Sequence, residues 1–426
     1  MHKKILIISP YFPPVNAADM QRVRMSLPGL IQAGWKPAIL KVDERFVEIS
    51  LDPLLLKSVP EDAEVISVSA FSPKWTRKFG LGAIALRSLP FFWLKGSGWI
   101  RKNKPELIFF STTQFPVLIL ARYWKWRFGS KIVFDIQDPW YNPVLPENQR
   151  PKKYWFSQWI NGTLEPAAMK AADGIMAVSE PYWQELRQRY NWLNQVPCLT
   201  LPFGGFEKDI EIARELPPEK TNPDHFLIRY VGRGGSDMLP AFSLFLKAVQ
   251  TGLKQEPERF KKIRIELAGT SYAPAGQGLP SLKPLADELG LGDIVSENPD
   301  RMPYFQSLQF LLYSDLLLVP GSDDPRYTAS KLYPYLLTRK TMMAIFRKES
   351  SVCGILNSVT PESLFSFSPD GDRDSDFEKI KQRLSFLISK KPLPFTDPGE
   401  KMKPYLAEEM ARKMNLFFRE VIKEKS

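Results

Sequence analysis

Along the first half of the chain, short apolar runs alternate with longer segments in which apolar residues recur every three or four positions. Unbroken apolar runs read as strands buried on both faces, and the recurring pattern reads as helices with one covered face. Their alternation therefore predicts a parallel sheet clad in helices. The predicted strands are Ile5–Ser9, Pro37–Val42, Glu64–Ala70, Leu107–Ser111, Lys131–Asp135, Gly174–Val178 and Cys198–Leu201. The predicted helices are Asp19–Ala33, Pro116–Phe128, Tyr154–Ala172 and Pro181–Tyr190.

Pro202-Phe203-Gly204-Gly205 closes this series, and a polar segment running through Pro217-Pro218 to Asp224 marks a domain boundary. A second series follows, with strands at Leu227–Val231, Ile263–Leu267, Leu316–Val319 and Met342–Phe346. Its helices are predicted near Leu239–Thr251, Ser281–Leu289, Tyr304–Leu312, Ala329–Leu337 and Phe377–Ile388. After the breaker Pro394-Phe395-Thr396-Asp397-Pro398, Glu400–Glu424 is helical in pattern. The expected fold class is α/β, with two Rossmann-like doubly wound domains over residues 1–205 and 206–398. The last helix, within 399–426, is expected to pack back across the interface toward the first domain.

A length of 426 residues fits two cores of ordinary size. Cys198 and Cys353 stand alone, in no CxxC pair and with no nearby histidine, which argues against a disulfide framework and a zinc site. The opening apolar run, Ile5–Ile8, stops at Pro10 and is shorter than a signal peptide requires. No stretch reaches the ~18 apolar residues of a spanning helix. The expectation is a cytoplasmic protein, soluble or peripheral on the inner face of the plasma membrane.

Charge is uneven. Residues 1–205 carry 26 Lys and Arg against 16 Asp and Glu, while the remainder carries 32 against 31. Any anionic partner is expected to meet the first half.

Three strand-to-helix turns carry candidate chemistry. The first, Ser9 to Arg22, contains Pro13-Pro14 and the small pair Ala17-Ala18; it reads either as a loop shaping a ligand cleft or as a proline-rich connection with Asp19 capping the next helix. The second, Val231-Gly232-Arg233-Gly234-Gly235-Ser236-Asp237, has small residues that let a phosphate approach the backbone and an arginine to meet a diphosphate; turn geometry alone is the other reading. The third runs from Val319 through Asp324 and Tyr327 to Ser330-Lys331-Leu332, putting a hydroxyl and a lysine at a helix start, where anions are held.

Five segments in this order and spacing resemble a known family: the opening ILIISPYFPP with Arg22, KIVFDIQDPW (Lys131–Trp140), AADGIMAVSE (Ala171–Glu180), RYVGRGG (Arg229–Gly235) and SKLYPYLLTRKTMMAI (Ser330–Ile345). The chain is similar, over almost its whole length, to the retaining GT-B glycosyltransferases of the family 4-like group that builds bacterial polysaccharides and glycolipids. The resemblance implies that the C-terminal domain binds a nucleotide-sugar and the N-terminal domain the acceptor.

Expected donor-site residues are Gly234, Gly235, Gly269, Thr270, Asp324, Tyr327, Ser330 and Leu332, with Ala17, Ala18 and Arg22 from the first turn. Arg233 and Lys331 would stabilise the leaving diphosphate, and Asp138 would orient the acceptor hydroxyl or stabilise the developing oxocarbenium ion, or merely cap the turn before Pro139. The expected co-substrate is a UDP- or GDP-sugar, with no other cofactor. No metal is expected, since the Asp135/Asp138 pair begins on a strand, Asp323-Asp324 is a turn, and the Asp370–Asp376 run lacks the glycine and the closing glutamate of a calcium loop.

The sequence departs from the family in three places. Ala17-Ala18 replaces a Gly-Gly turn, and Asp138 stands at or near the place of a catalytic-site histidine. The family's paired glutamates fall on Arg326 and Pro334, leaving Asp323 or Asp324 to substitute. These losses give weight to a catalytically silent GT-B binding or scaffold subunit; a sugar-nucleotide epimerase is the third reading.

From Val65 to Pro105 there is no acidic residue and there are eight basic ones, interleaved with Trp75, Phe79, Phe91, Phe92, Trp93 and Trp99. This composition over residues 74–104 suits docking on an anionic membrane surface, with Arg122 to Arg127 of the same character; a core helix with snorkelling basic ends is the alternative. No nucleic-acid motif is present, and the expected acceptor is a glycan or lipid-linked precursor.

Overall fold

The computed structural model describes residues 3–79, 81–141, 152–273, 276–323, 332–368, 373–393 and 398–423. The chain divides into two compact units, residues 1–204 together with 407–426, and residues 205–406.

The first unit is built on a seven-stranded sheet in the order β3-β2-β1-β4-β5-β6-β7. Its strands are β1 (Lys3–Ile8), β2 (Trp35–Val42), β3 (Glu64–Val68), β4 (Leu107–Ser111), β5 (Lys131–Ile136), β6 (Gly174–Ala177) and β7 (Cys198–Thr200). Every ladder is parallel. Ile5–Ile8 and Leu107–Phe110 are fully buried, as both faces of a parallel sheet require.

In the second unit the order is β10-β9-β8-β11-β12-β13. The strands are β8 (Phe226–Val231), β9 (Ile263–Ala268), β10 (Val295–Asn298), β11 (Leu316–Pro320), β12 (Met342–Arg347) and β13 (Leu364–Phe367). These ladders are parallel too. The edge strands β10 and β13 were not expected: VSEN and LFSF are short and weakly patterned.

Helices also go beyond expectation. Ile84–Asn103 is one 20-residue helix with Ala85, Ser88, Phe92, Gly96 and Ile100 on its buried stripe. A Cβ on Gly96 would lie 2.5 Å from the Trp124 ring, so this glycine lets the helix seat on that core tryptophan. The segment expected to dock on a membrane is thus partly a core helix. Glu207–Arg214 and Ser351–Val359 are two further helices absent from the expected set.

The terminal helix, Ala407–Lys423, belongs to the first unit. It buries Met410, Met414, Phe417, Phe418 and Val421, each worth about 1.5–3 kcal/mol of hydrophobic stabilisation. Phe418 meets Phe109 and Trp35 edge-on, at centroid distances of 5.1 and 5.9 Å. Gly29 and Gly174 leave room for Ala411 and Val421. The second unit runs through Leu406, eight residues beyond the boundary expected at 398.

Candidate active site

In an open parallel sheet, ligands collect beyond the carboxyl ends of the strands where the order reverses. The second sheet reverses between β8 and β11, and there the ladder is short. β8 pairs with β11 only at Ile228–Leu316 and Arg229–Leu317, whereas β8 stays paired with β9 through Val231. Beyond Arg229 the two strands part, and the buried Tyr335 hydroxyl fills the gap. It accepts from the Val231 N–H (2.7 Å) and donates to the Val231 carbonyl (3.0 Å).

The turn that follows is shaped by glycine. A Cβ at Gly232 would strike the Tyr230 hydroxyl, which donates to the Arg233 carbonyl (2.8 Å), and one at Gly234 would lie 2.0 Å from Ser281 Oγ. Gly235 has φ +137°, a conformation other residues rarely adopt. The Gly234 N–H donates to the Thr270 carbonyl (2.7 Å). Gly234 and Thr270 are thus joined, but through a bond that uses the amide expected to face a phosphate. Gly269, with φ +67°, turns the chain out of β9.

Arg233 is already engaged. Nη1 donates to Asp237 Oδ1 (2.9 Å) and Nη2 donates to Oδ2, which also accepts from Ser322 Oγ. These bonds hold the Asp237 carboxyl below the usual carboxylate range. The pair is neither buried nor fully open, with side-chain exposures of 25% and 32%. Asp323 N–H donates to the Asp237 carbonyl (2.7 Å), and Arg347 in turn holds Asp323. Asp324, Tyr327, Ser330 and Lys331 lie outside the described residues, and Leu332, the first described residue of the next helix, is buried.

The first sheet reverses between β1 and β4, and its carboxyl edge holds a denser polar network. Arg22 is fully buried; its Nε donates to Asp135 Oδ2 (2.8 Å), its Nη2 donates to the Leu201 carbonyl (2.6 Å), and its guanidinium lies over the Phe203 ring. Asp135 Oδ2 also accepts from Ser111 Oγ (2.8 Å) and Gln137 Nε2 (2.9 Å). Arg22 was expected among the ligand-binding residues; enclosed in this way, it ties the start of the Gln21–Gln32 helix to the ends of β5 and β7.

Asp19 is corrected as well. The helix cap position is Met20, and Asp19 Oδ2 instead accepts from Thr112 Oγ1 (2.9 Å), the Thr113 N–H (3.1 Å) and Thr113 Oγ1 (3.3 Å). Burial pushes its carboxyl above the usual range, the hydrogen bonds offsetting only part of that. Sequence reasoning named Asp19 only as a cap and missed its partners Thr112 and Thr113; only the spatial neighbourhood of β1 and β4 brings the three together. Ala17 is buried and Ala18 exposed on the same turn. Asp138 sits at the surface, yet the protein around its carboxylate excludes enough water to raise its pKa. Among the described residues no group of three or more His, Cys, Asp or Glu could hold a metal ion.

The chain has the GT-B fold. Solved structures similar to it along their full length are a glycosyltransferase from Rickettsia africae (14% identity, TM-score 0.58, 100% of both chains) and Anabaena HepE in complex with UDP (13%, TM-score 0.56, 99% of this chain and 100% of that one). A third is a UDP-forming trehalose-phosphate synthase from Burkholderia xenovorans (10%, TM-score 0.59, 99% of both). At these identities the likeness carries the fold. No family model matches the chain, and no curated protein matches it either.

Proposed function

We propose that this GT-B protein is a glycosyltransferase that moves a sugar from a nucleoside-diphosphate sugar, UDP- or GDP-linked, to a glycan or lipid-linked acceptor in cell-envelope polysaccharide synthesis. The observation that carries the reading is the glycine-shaped turn with Arg233 at the β8/β11 reversal, in a fold whose Anabaena representative was crystallised with UDP. Residues 205–406 are the donor side in this reading, and residues 1–204 the acceptor side.

Transfer with retention breaks the bond between the anomeric carbon and the diphosphate oxygen and forms a bond from that carbon to the acceptor oxygen on the same face. The acceptor proton passes to the departing phosphate oxygen. Arg233 and Lys331 stabilise the charge that develops there, without a metal, and Asp138 orients the acceptor hydroxyl.

For location, we read the protein as cytoplasmic and docked on an anionic bilayer. Among the described residues no helix is long and apolar enough to cross a membrane. Docking is supported by exposed Trp75 (73%), Leu94 (61%) and Trp126 (78%) beside exposed Lys74, Lys78, Arg101, Lys102, Arg122 and Arg127. Arg87 is excluded from that surface role, since it is buried and donates to the backbone carbonyls of Gly82, Phe71 and Phe46.

The test is a binding and hydrolysis screen over UDP-, GDP- and ADP-sugars, with Lys331→Ala as control. A selective donor whose turnover Lys331→Ala abolishes is expected; failure of every donor to bind would sink the reading. The Arg233–Asp237 pair favours one alternative, a silent subunit that binds without turnover, which the screen would register as binding with no hydrolysis or transfer.

A further inference from the structure

A guanidinium offered to a diphosphate is expected to be held by neutral groups or left to water. Arg233 is instead clasped by both oxygens of Asp237, four residues on, and the same carboxylate collects the Ser322 hydroxyl from the turn after β11. One carboxylate thus gathers donors from both turns at the β8/β11 reversal, the geometry in which a phosphate oxygen would bind there. The backbone fixes this arrangement: Gly235 at φ +137° turns the chain so that Asp237 comes back over Arg233, and the Asp323 N–H to Asp237 carbonyl bond ties the two turns together. Both side chains retain partial exposure, so an incoming anion can reach the pair.

We infer that Asp237 is an internal anion occupying the diphosphate position, so that a ligand engages Arg233 and Ser322 only by displacing its carboxylate. This rests on the donor-site reading above and makes Asp237 the residue that sets which ligands the turn accepts. A neutral nucleoside brings nothing to exchange for the carboxylate. A nucleoside diphosphate brings several oxygens and more charge, and the carboxylate it releases rotates into water at small cost because it is already a third exposed.

The experiment is calorimetric titration of the full chain and its Asp237→Asn, Arg233→Ala and doubly substituted variants with UDP, GDP, inorganic pyrophosphate and uridine. Asparagine keeps an acceptor for Ser322 while removing the charge. Asp237→Asn is expected to bind the diphosphate probe roughly tenfold more tightly than the natural chain, to leave uridine unchanged, and to lose the gain when Arg233→Ala is added. Diphosphate binding by the natural chain that is equal or weaker in Asp237→Asn would overturn the internal-anion role and leave the donor-site reading standing. No diphosphate binding by either protein would overturn both. Should Asp237→Asn unfold, carboxyl NMR of the natural chain decides: the Asp237 carboxyl rises toward the ordinary aspartate range when UDP or GDP is added, and an unmoved titration refutes the displacement.

Discussion

The two carboxyl-edge crevices have the same topology and opposite character. In the first unit, Arg22 and Asp135 form an ion pair with no exposed side-chain surface, bound into a network with Ser111, Gln137 and the Leu201 carbonyl. In the second, Arg233 and Asp237 form an ion pair that water still reaches, on a turn with a left-handed glycine. An arginine–aspartate pair inside a dry network holds a fold together, and one at a wet edge is available for exchange. Burial, and not residue type, decides which role each pair has.

The comparison breaks most visibly at Arg22. Arg22→Ala leaves the Asp135 carboxylate buried without its cation and is expected to cost about 3–5 kcal/mol in urea unfolding. A loss under 1 kcal/mol would remove the distinction between the two crevices. Next comes Gly96→Leu, which drives a side chain into Trp124 and is expected to cost about 1–3 kcal/mol in the same measurement.

Tyr335→Phe sharpens the contrast within the second unit. It removes the hydroxyl that bridges Val231 and should cost about 1–2 kcal/mol, while weakening nucleotide binding because the Gly232–Asp237 turn leaves β8 at that point. Loss of stability with unchanged nucleotide affinity would show that the bridge does not position the turn.

The smallest effect concerns Asp19, a buried carboxylate whose folded pKa is raised. Above the unfolded aspartate range the native state resists ionisation, so its contribution destabilises as pH rises toward the folded value and stays constant beyond it. Asp19→Asn keeps an acceptor for Thr112 and Thr113 and is expected to raise Tm by a few degrees at pH 8 and less at pH 4. A lower Tm at pH 8 would mean that the charge itself supports the fold. For the surface proposal, Trp126→Ala should reduce co-sedimentation with anionic vesicles, and binding indifferent to salt and lipid charge would end it.

Much of the fold was legible in the residue pattern because parallel strands buried on both faces are continuous apolar runs. Leu107–Ser111 and Tyr304–Leu312 were predicted to the residue. What escaped had weak local signals: edge strands such as VSEN, which pair on one side only, and the extent of the Ile84–Asn103 helix, held only as the alternative to membrane docking, whose buried stripe is obscured by Arg, Lys and the exposed Trp93. The candidate site was less legible. Sequence singled out Arg233 and the glycines around it but not the carboxylate that holds the arginine.

The sequence by itself determined the two series of strands and helices, the glycine-rich turn after β8 and the excess of positive charge in the first half, because these follow from periodicity, backbone conformation and composition. Only the tertiary structure decided which arginine is sealed and which is reachable, that Asp19 serves Thr112 and Thr113, and that Tyr335 closes the parted strands. Those are meetings of residues up to 179 positions apart, and no local pattern encodes the water that burial removes from a charge.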